Sequence, residues 1–260
     1  MNRRMTWAAA VAAGFAALIA GDVLAATMNY GDFAGATVVY NDVTEANSEP
    51  NLLFSTPTVV GDSLEFDPVN FFADVDPGPG SQITDSEIST VVEALPGFFI
   101  DNLQISEEGD FTLTGLPGAF GVAQVGAAFF FEVLAVDGVL VGDGPIGHVN
   151  MQFTTGAGPN GGEYSLPGDA GAAVPWSGTA FLDIAAALNA SPYAGQRATS
   201  VRLSFDNALV AAADGNASAF IKKKQIGGII IRTNVPEPST LVLAGSVIAA
   251  GLGLLRRRSR

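Results

Sequence analysis

The chain has no cysteine among its 260 residues. Disulfides, thiolate metal sites and cysteine nucleophiles are therefore excluded, and the fold must rest on its core. Histidine occurs once, at His148. One imidazole cannot build a multi-histidine zinc site, and a Ser-His-Asp triad would have to use this one. It stands in Ile146-Gly147-His148-Val149-Asn150, at the start of an alternating run, and the chain has no nucleophile-elbow motif; it reads as a surface or edge histidine. Positive charge is scarce between the ends. Ala26–Asn234 holds six basic residues against 24 acidic ones, a formal net charge of −18. Such a body repels nucleic acid and anionic lipid, so binding to a phosphate backbone is not expected. Apolar runs of the length of an export signal or anchor stand at the two ends; within the body Val122–Val136 is also long and apolar, and is expected as a central strand buried on both faces or as one bent at Gly126. No fixed-period repeat is present, which argues against a β-helix.

The two apolar ends read as address labels. At the front, Asn2-Arg3-Arg4 is a positive segment, Trp7–Ala20 an apolar run of fourteen residues, and Val23-Leu24-Ala25 a small-residue cleavage site. Cleavage is expected after Ala25, with Ala26 as the neighbouring choice, which predicts a signal peptide over 1–25. Arg3-Arg4 invites a twin-arginine reading, but Thr6 stands where that motif takes a large apolar residue, so the Sec translocon and signal peptidase are the expected partners. At the back, Val235-Pro236-Glu237-Pro238-Ser239-Thr240 precedes an apolar run, Leu241–Leu255, and then Arg256-Arg257-Arg258-Ser259-Arg260. Two prolines so close keep the chain extended and open to a processing enzyme. The fifteen apolar residues are fewer than the roughly 17–25 of a spanning helix. Ser239 and Thr240 extend the run, and the arginines can snorkel. A marginal single transmembrane helix over 239–255 is expected, with Arg256, Arg257 and Arg258 as the topological stop on the inner side of the membrane. Gly245 and Ala249 form a small-xxx-small pair suited to contact with another helix.

This tail resembles the PEP-CTERM sorting signal of Gram-negative bacteria. Pro236-Glu237-Pro238 matches the name-giving motif, and the helix and arginine cluster follow in the same order. The resemblance implies recognition by an exosortase, a membrane-embedded cysteine protease-transpeptidase, and cleavage at or near the motif. It also implies a host that makes extracellular polysaccharide. Within the body, Tyr30-Gly31-Asp32-Phe33, Ser204-Phe205-Asp206-Asn207 and Ser218–Lys224 resemble stretches that recur in uncharacterised PEP-CTERM protein bodies.

Residues 26–234 are long enough to bury one sizeable core without staples. The pattern there is of short apolar runs divided by Gly, Pro, Asn and Asp. Strands are expected at Thr37–Val43, Asp62–Phe66, Ile83–Val92, Val122–Val136, Ile146–Thr154, Trp176–Ile184, Ala217–Lys222 and Ile226–Thr233, with an inward row at Val201, Leu203 and Phe205. Phe99–Ser106 and Asp110–Thr114 are expected to form a hairpin across Glu107-Glu108-Gly109-Asp110. Asp137-Gly138 predicts a tight hairpin turn, and Ala185–Asn189 one helical turn. The expected class is an all-β sandwich of jelly-roll type.

Candidate chemistry in the body is sparse. Asp74-Val75-Asp76, with Asp85 at the twelfth position from Asp74, offers hard oxygen ligands. It is not an EF-hand, since Pro79 takes the glycine position and no helices flank it; a looser structural calcium site at Asp74, Asp76 and Asp85 remains as the metal expectation. Asp32, Asp42 and Glu45 make a weaker cluster. Gly156-Ala157-Gly158-Pro159-Asn160-Gly161 fits G-x-G-x-x-G, but no helix can open at Leu166-Pro167, so it reads as a loop. Trp176, Tyr164, Tyr193 and Tyr40 are candidate sugar-stacking aromatics, with a core position favoured for Trp176. Lys222-Lys223-Lys224 reads as an exposed strand end that discourages edge pairing. No carboxylate pair stands out for glycoside hydrolysis. The expectation is a non-enzymatic exported surface or matrix protein, without a cofactor, associated with exopolysaccharide and biofilm. A carbohydrate-binding module and a polysaccharide-acting hydrolase or lyase are the alternatives.

Overall fold

The computed structural model describes residues 25–76, 78–224 and 229–234. In chain order its elements are β1 (Ala26–Ala34), β2 (Val38–Asn47), β3 (Thr58–Val60), β4 (Ser63–Phe66), β5 (Phe72–Val75), β6 (Gly80–Ala94), β7 (Asn102–Gly115), β8 (Gly121–Val136), β9 (Val139–Leu140), β10 (Ile146–Asn150), β11 (Gln152–Phe153), β12 (Glu163–Ser165), β13 (Gly171–Asp183), α1 (Ile184–Asn189), β14 (Ala198–Ala213), β15 (Ala217–Lys223) and β16 (Ile229–Asn234). The chain is nearly all β, as its alternating pattern requires. The expected helical turn is α1, capped by Asp183, whose side chain accepts from the Ala186 N–H.

Two curled sheets make a sandwich-like fold. Sheet I runs β1-β2-β6-β14-β8-β10, with β9 and β12 also on β8. Sheet II runs β11-β13-β7-β16-β4-β3, with β15 joining β7 to β5. Every pairing is antiparallel, from the tight β1–β2 hairpin to the fourteen-residue β6–β14 ladder. Inward residues of both sheets form one core. Ile88, Val92, Phe129, Val201, Leu203, Phe205 and Leu209 from sheet I meet Leu103, Ile105, Phe111, Leu113, Leu182 and Ile221 from sheet II, all at 2% exposure or less. Phe54 closes one end, edge-on to Phe66 and Phe71 at 5.7 and 5.3 Å.

Three features depart from the sequence reading. The expected hairpin across Glu107–Asp110 does not form; β7 runs straight through it. Gly109 is there for close approach and not for a turn, because a Cβ would lie 2.1 Å from the Lys222 carbonyl oxygen and 2.3 Å from the Trp176 ring. The run Ile146–Thr154 alternates but belongs to two sheets. β10 pairs with β8 in sheet I, β11 pairs with β13 in sheet II, and Met151, fully buried, is the crossover. β8 is buried on one face only, since Phe130 stays 44% exposed. The Asp137-Gly138 turn forms as expected, with φ of 47° and 80°, the left-handed pair that a two-residue hairpin needs.

Candidate functional site

The alternation that sends Ser86, Ile88, Phe205 and Asn207 inward sends their neighbours outward. On the outer face of sheet I the register therefore lays out a row Ala46–Glu87–Asp206–Ala128–Asn150 across β2, β6, β14, β8 and β10. The next row holds Asp85, Ala208 and Gly126. Small residues on β2, β8 and β14 leave a groove of about 780 Å³, floored by Ala46, Gly126, Ala128 and Ala208 and walled by Ser48, Asn150, Asn160 and Glu163. Glu87 and Asp206 are directly opposed across the strands, where Cβ atoms stand about 5 Å apart. Like charges so placed repel. Partial burial and the Asp85 carboxylate both push Asp206 above the usual carboxylate range. Ser48 donates to Asp85 at 2.5 Å.

The same face continues past the groove into a smaller hollow of about 340 Å³. Here Phe130 stacks on His148 with ring centroids 6.0 Å apart. Arg202 pairs with Glu132 beside them, and Ser204 lies opposite Phe130. One face thus carries carboxylates, hydroxyl and amide groups and an exposed aromatic stack. That combination suits a hydroxyl-rich, uncharged or cation-bridged ligand lying across the strands. The signal for half of it was in the sequence: Asp85 and Glu87 are two apart on a strand and so share a face. Asp206 joins them only through the β6–β14 register.

The sequence-derived candidates fall elsewhere. Asp74, Asp76 and Asp85 do not converge. Asp74 sits on β5 against Phe220 of sheet II, and its N–H is held by Gln82 Oε1 at 2.9 Å. Asp76 accepts from Ser218 at 3.0 Å, while Asp85 lies on the outer face of sheet I. Among the described residues no three His, Cys, Asp or Glu side chains gather to hold a metal ion. The three carboxylates expected to hold calcium are thus not gathered: Asp74 and Asp76 stand on and just after β5, and Asp85 on the outer face of sheet I. In the weaker cluster, Asp32 accepts from the Asp42 N–H, at a β2 bulge where Asp42 has φ 51°. Glu45 turns inward and is saturated, accepting from Tyr30 Oη, Asn47 Nδ2 and the Leu53 and Phe54 N–H groups.

Trp176, Tyr164 and Tyr40 are core residues at 2% exposure or less and cannot stack on a sugar; Tyr193 is half-buried. The G-x-G-x-x-G segment is a loop at the rim of the groove, with no helix after it. His148 is exposed on β10, as its context indicated. The lysine cluster is the clearest revision. β15 is not an edge, because it lies between β5 and β7. Lys222 and Lys224 flank Asp110 at 4.0 and 3.7 Å, while Lys223 is buried against Glu107. Pro236, Glu237, Pro238, the 239–255 segment, Arg256–Arg258 and residues 1–24 lie outside the described residues. Among the described residues no helix is long and apolar enough to cross a membrane.

A family profile, the PEP-CTERM protein-sorting motif, matches residues 234–258. No curated relative matches the chain. Among solved structures, the family GH12 endoglucanase 3 of Trichoderma harzianum aligns over 83% of this chain and 100% of its own, at 9% identity and a TM-score of 0.22. A loop-swap mutant of Necallimastix patriciarum Xyn11A aligns over 81% and 100%, at 10% identity and the same TM-score of 0.22. A family 12 xyloglucanase from Bacillus licheniformis gives 81%, 100%, 9% and 0.22. Likeness this slight carries neither fold nor activity across.

Proposed function

We propose that this chain, which carries a PEP-CTERM sorting motif, is an exosortase substrate whose acidic, jelly-roll-like body is exported by Sec, held briefly in the inner membrane, and then passed to the cell surface or the extracellular polysaccharide matrix. The observation that carries this reading is the sorting-motif match over residues 234–258. In this scheme signal peptidase cuts after Ala25, which leaves β1 whole from Ala26. Arg256–Arg258 stay on the inner side, and the exosortase cuts at or near Pro236-Glu237-Pro238. Mass spectrometry of the mature C-terminus from the native host, with and without its exosortase, tests the scheme. A species ending near Pro236 only when the enzyme is present is the expected result. An intact Arg260 in both strains rejects it.

For the body we favour non-enzymatic glycan binding at the outer face of sheet I, and the exposed Phe130–His148 stack beside the Asp85–Glu87–Asp206 groove supports that reading. A pull-down on the host's exopolysaccharide should retain the wild-type body and lose the Phe130→Ala and Asp206→Asn variants. Equal retention of all three removes the groove from consideration. Depolymerisation of that polysaccharide, abolished by Asp206→Asn, replaces the binding reading with a hydrolase or lyase.

A further inference from the structure

The middle residue of Lys222-Lys223-Lys224 turns into the sandwich. The Lys223 and Glu107 side chains are both at 0% exposure, and Asn207 is 1% exposed. Lys223 Nζ donates to Glu107 Oε2 and, at 3.2 Å, to Asn207 Oδ1. The rings of Phe71 and Trp176 lie 5.2 and 5.5 Å from Nζ. Asn207 comes from β14 in sheet I; Glu107 and Lys223 come from β7 and β15 in sheet II. Among the described residues, the cluster is thus the one place where a buried amine, carboxyl and carboxamide bridge the two sheets. It is not a finished salt bridge. The Asn207 amide is close enough to Glu107 to favour the ionised carboxylate, yet Asn207 Nδ2 and Glu107 Oε1 complete no hydrogen bond of good geometry. Unpaired polar atoms in so dry a place are costly, and a plain ion pair needs no asparagine.

The geometry points to an intramolecular isopeptide bond between Lys223 Nζ and Asn207 Cγ, with Glu107 as the proton-transfer group. Burial supports the required protonation. It pushes the Glu107 carboxyl up and the Lys223 amine down, which favours the neutral acid and neutral amine from which the bond would form. The Nζ lone pair then adds to Cγ. Glu107 gives its proton to Nδ2 and takes one from Nζ. The Cγ–Nδ2 bond breaks and ammonia leaves. Amine and carboxamide become a secondary amide plus ammonia, and the carboxyl ends protonated as it began. No oxidant, metal or external reactant is needed. Holding the groups at contact distance in a water-free pocket lowers the entropic barrier to a reaction that is negligible between free side chains. Because that pocket exists only once the sheets have packed, the bond forms after folding.

Intact-mass and peptide mass spectrometry of the full chain decide the matter. The termini read from the digest fix the expected mass. The folded wild-type chain should be lighter than that by one ammonia, and its digest should contain the Asn207 and Lys223 peptides joined. Glu107→Gln and Asn207→Ala chains should keep the unmodified mass, with the peptides separate. If either variant fails to fold, the wild-type mass and digest suffice. A folded wild-type chain with the unmodified mass and separate peptides overturns the proposal, as does ammonia loss without the joined peptides.

Discussion

Glu45 is a buried carboxylate that ties several segments of the fold together. It is 1% exposed, and its carboxylate accepts from Tyr30, Asn47, Leu53 and Phe54, tying β1 and the segment after β2 to the core. Glu45→Ala removes the acceptor and leaves buried N–H groups without one, so urea denaturation should show a loss of about 3 kcal/mol; a loss under about 1 kcal/mol would mean that water replaces it. The same contact fixes an alkaline limit. Burial first, and then the Glu45 carboxylate, push the Tyr30 phenol above its usual range. Burial and the nearby Asp62 do the same to Tyr40. In both cases the folded pKa exceeds the unfolded one. Their stabilising effect is therefore complete below about pH 10 and declines as pH rises beyond it. Thermal midpoints should fall above pH 10, with a shallower fall for Tyr30→Phe. Sequence reading grouped Glu45 with Asp32 and Asp42 as a weak cluster of oxygen ligands. Nothing local distinguishes a carboxylate that points inward from one that points outward when a bulge at Asp42 shifts the strand between them.

β7 is the element on which sheet II depends, since β13, β15 and β16 all pair with it. Its middle reads as a turn because Glu107-Glu108-Gly109-Asp110 has turn composition. The structure uses those residues differently: Gly109 makes room for the Trp176 ring, and Glu107 faces the core. Gly109→Ala should cost about 3 kcal/mol, because the clash includes the Lys222 backbone oxygen, which cannot rotate away. Near-native stability of that variant, measured in urea, would show that β7 and β15 can separate freely. On β14 the effect has the opposite sign. Partial burial and Asp85 raise the Asp206 pKa, so its ionisation weakens the fold as pH rises from about 4 towards neutrality. Asp206→Asn should raise the thermal midpoint at pH 7 and leave it unchanged at pH 3, while weakening any ligand held in the groove. A lower midpoint at pH 7 would mean that Asp206 is paired and not strained. Keeping an unfavourable charge on an open face is the pattern of a binding surface.

At the scale of the molecule, the −18 body has few cations to offset it, and the described ion pairs draw on Arg197, Arg202 and the three lysines. Self-repulsion should make the melting temperature rise as sodium chloride is taken from low concentration to about 0.15 M, where screening reaches ~8 Å; a flat response would show that the charges are already too dispersed to matter. A Lys223–Asn207 bond would close a loop across the β14–β15 connection and tie the sheets together without cysteine. By loop-closure entropy it would contribute about 3 kcal/mol, visible as a lower midpoint in Glu107→Gln.

The sequence by itself determined that the chain carries a sorting motif and what class of fold it adopts. Sorting signals are linear, read by enzymes and membranes as order, charge and hydrophobicity along the chain. Strand identity follows from period-two alternation and the turn residues between the runs. Val201, Leu203 and Phe205, the Asp137-Gly138 turn and the short helix after Asp183 were all legible for that reason. Tertiary structure alone decided the pairings between distant strands. It placed Asp206 beside Asp85 and Glu87, split one alternating run between two sheets at Met151, and buried Lys223 against Glu107 and Asn207. Those contacts join residues up to 121 positions apart, such as Asp85 and Asp206. Local composition is silent about them, because register and sheet packing are set by the whole core at once.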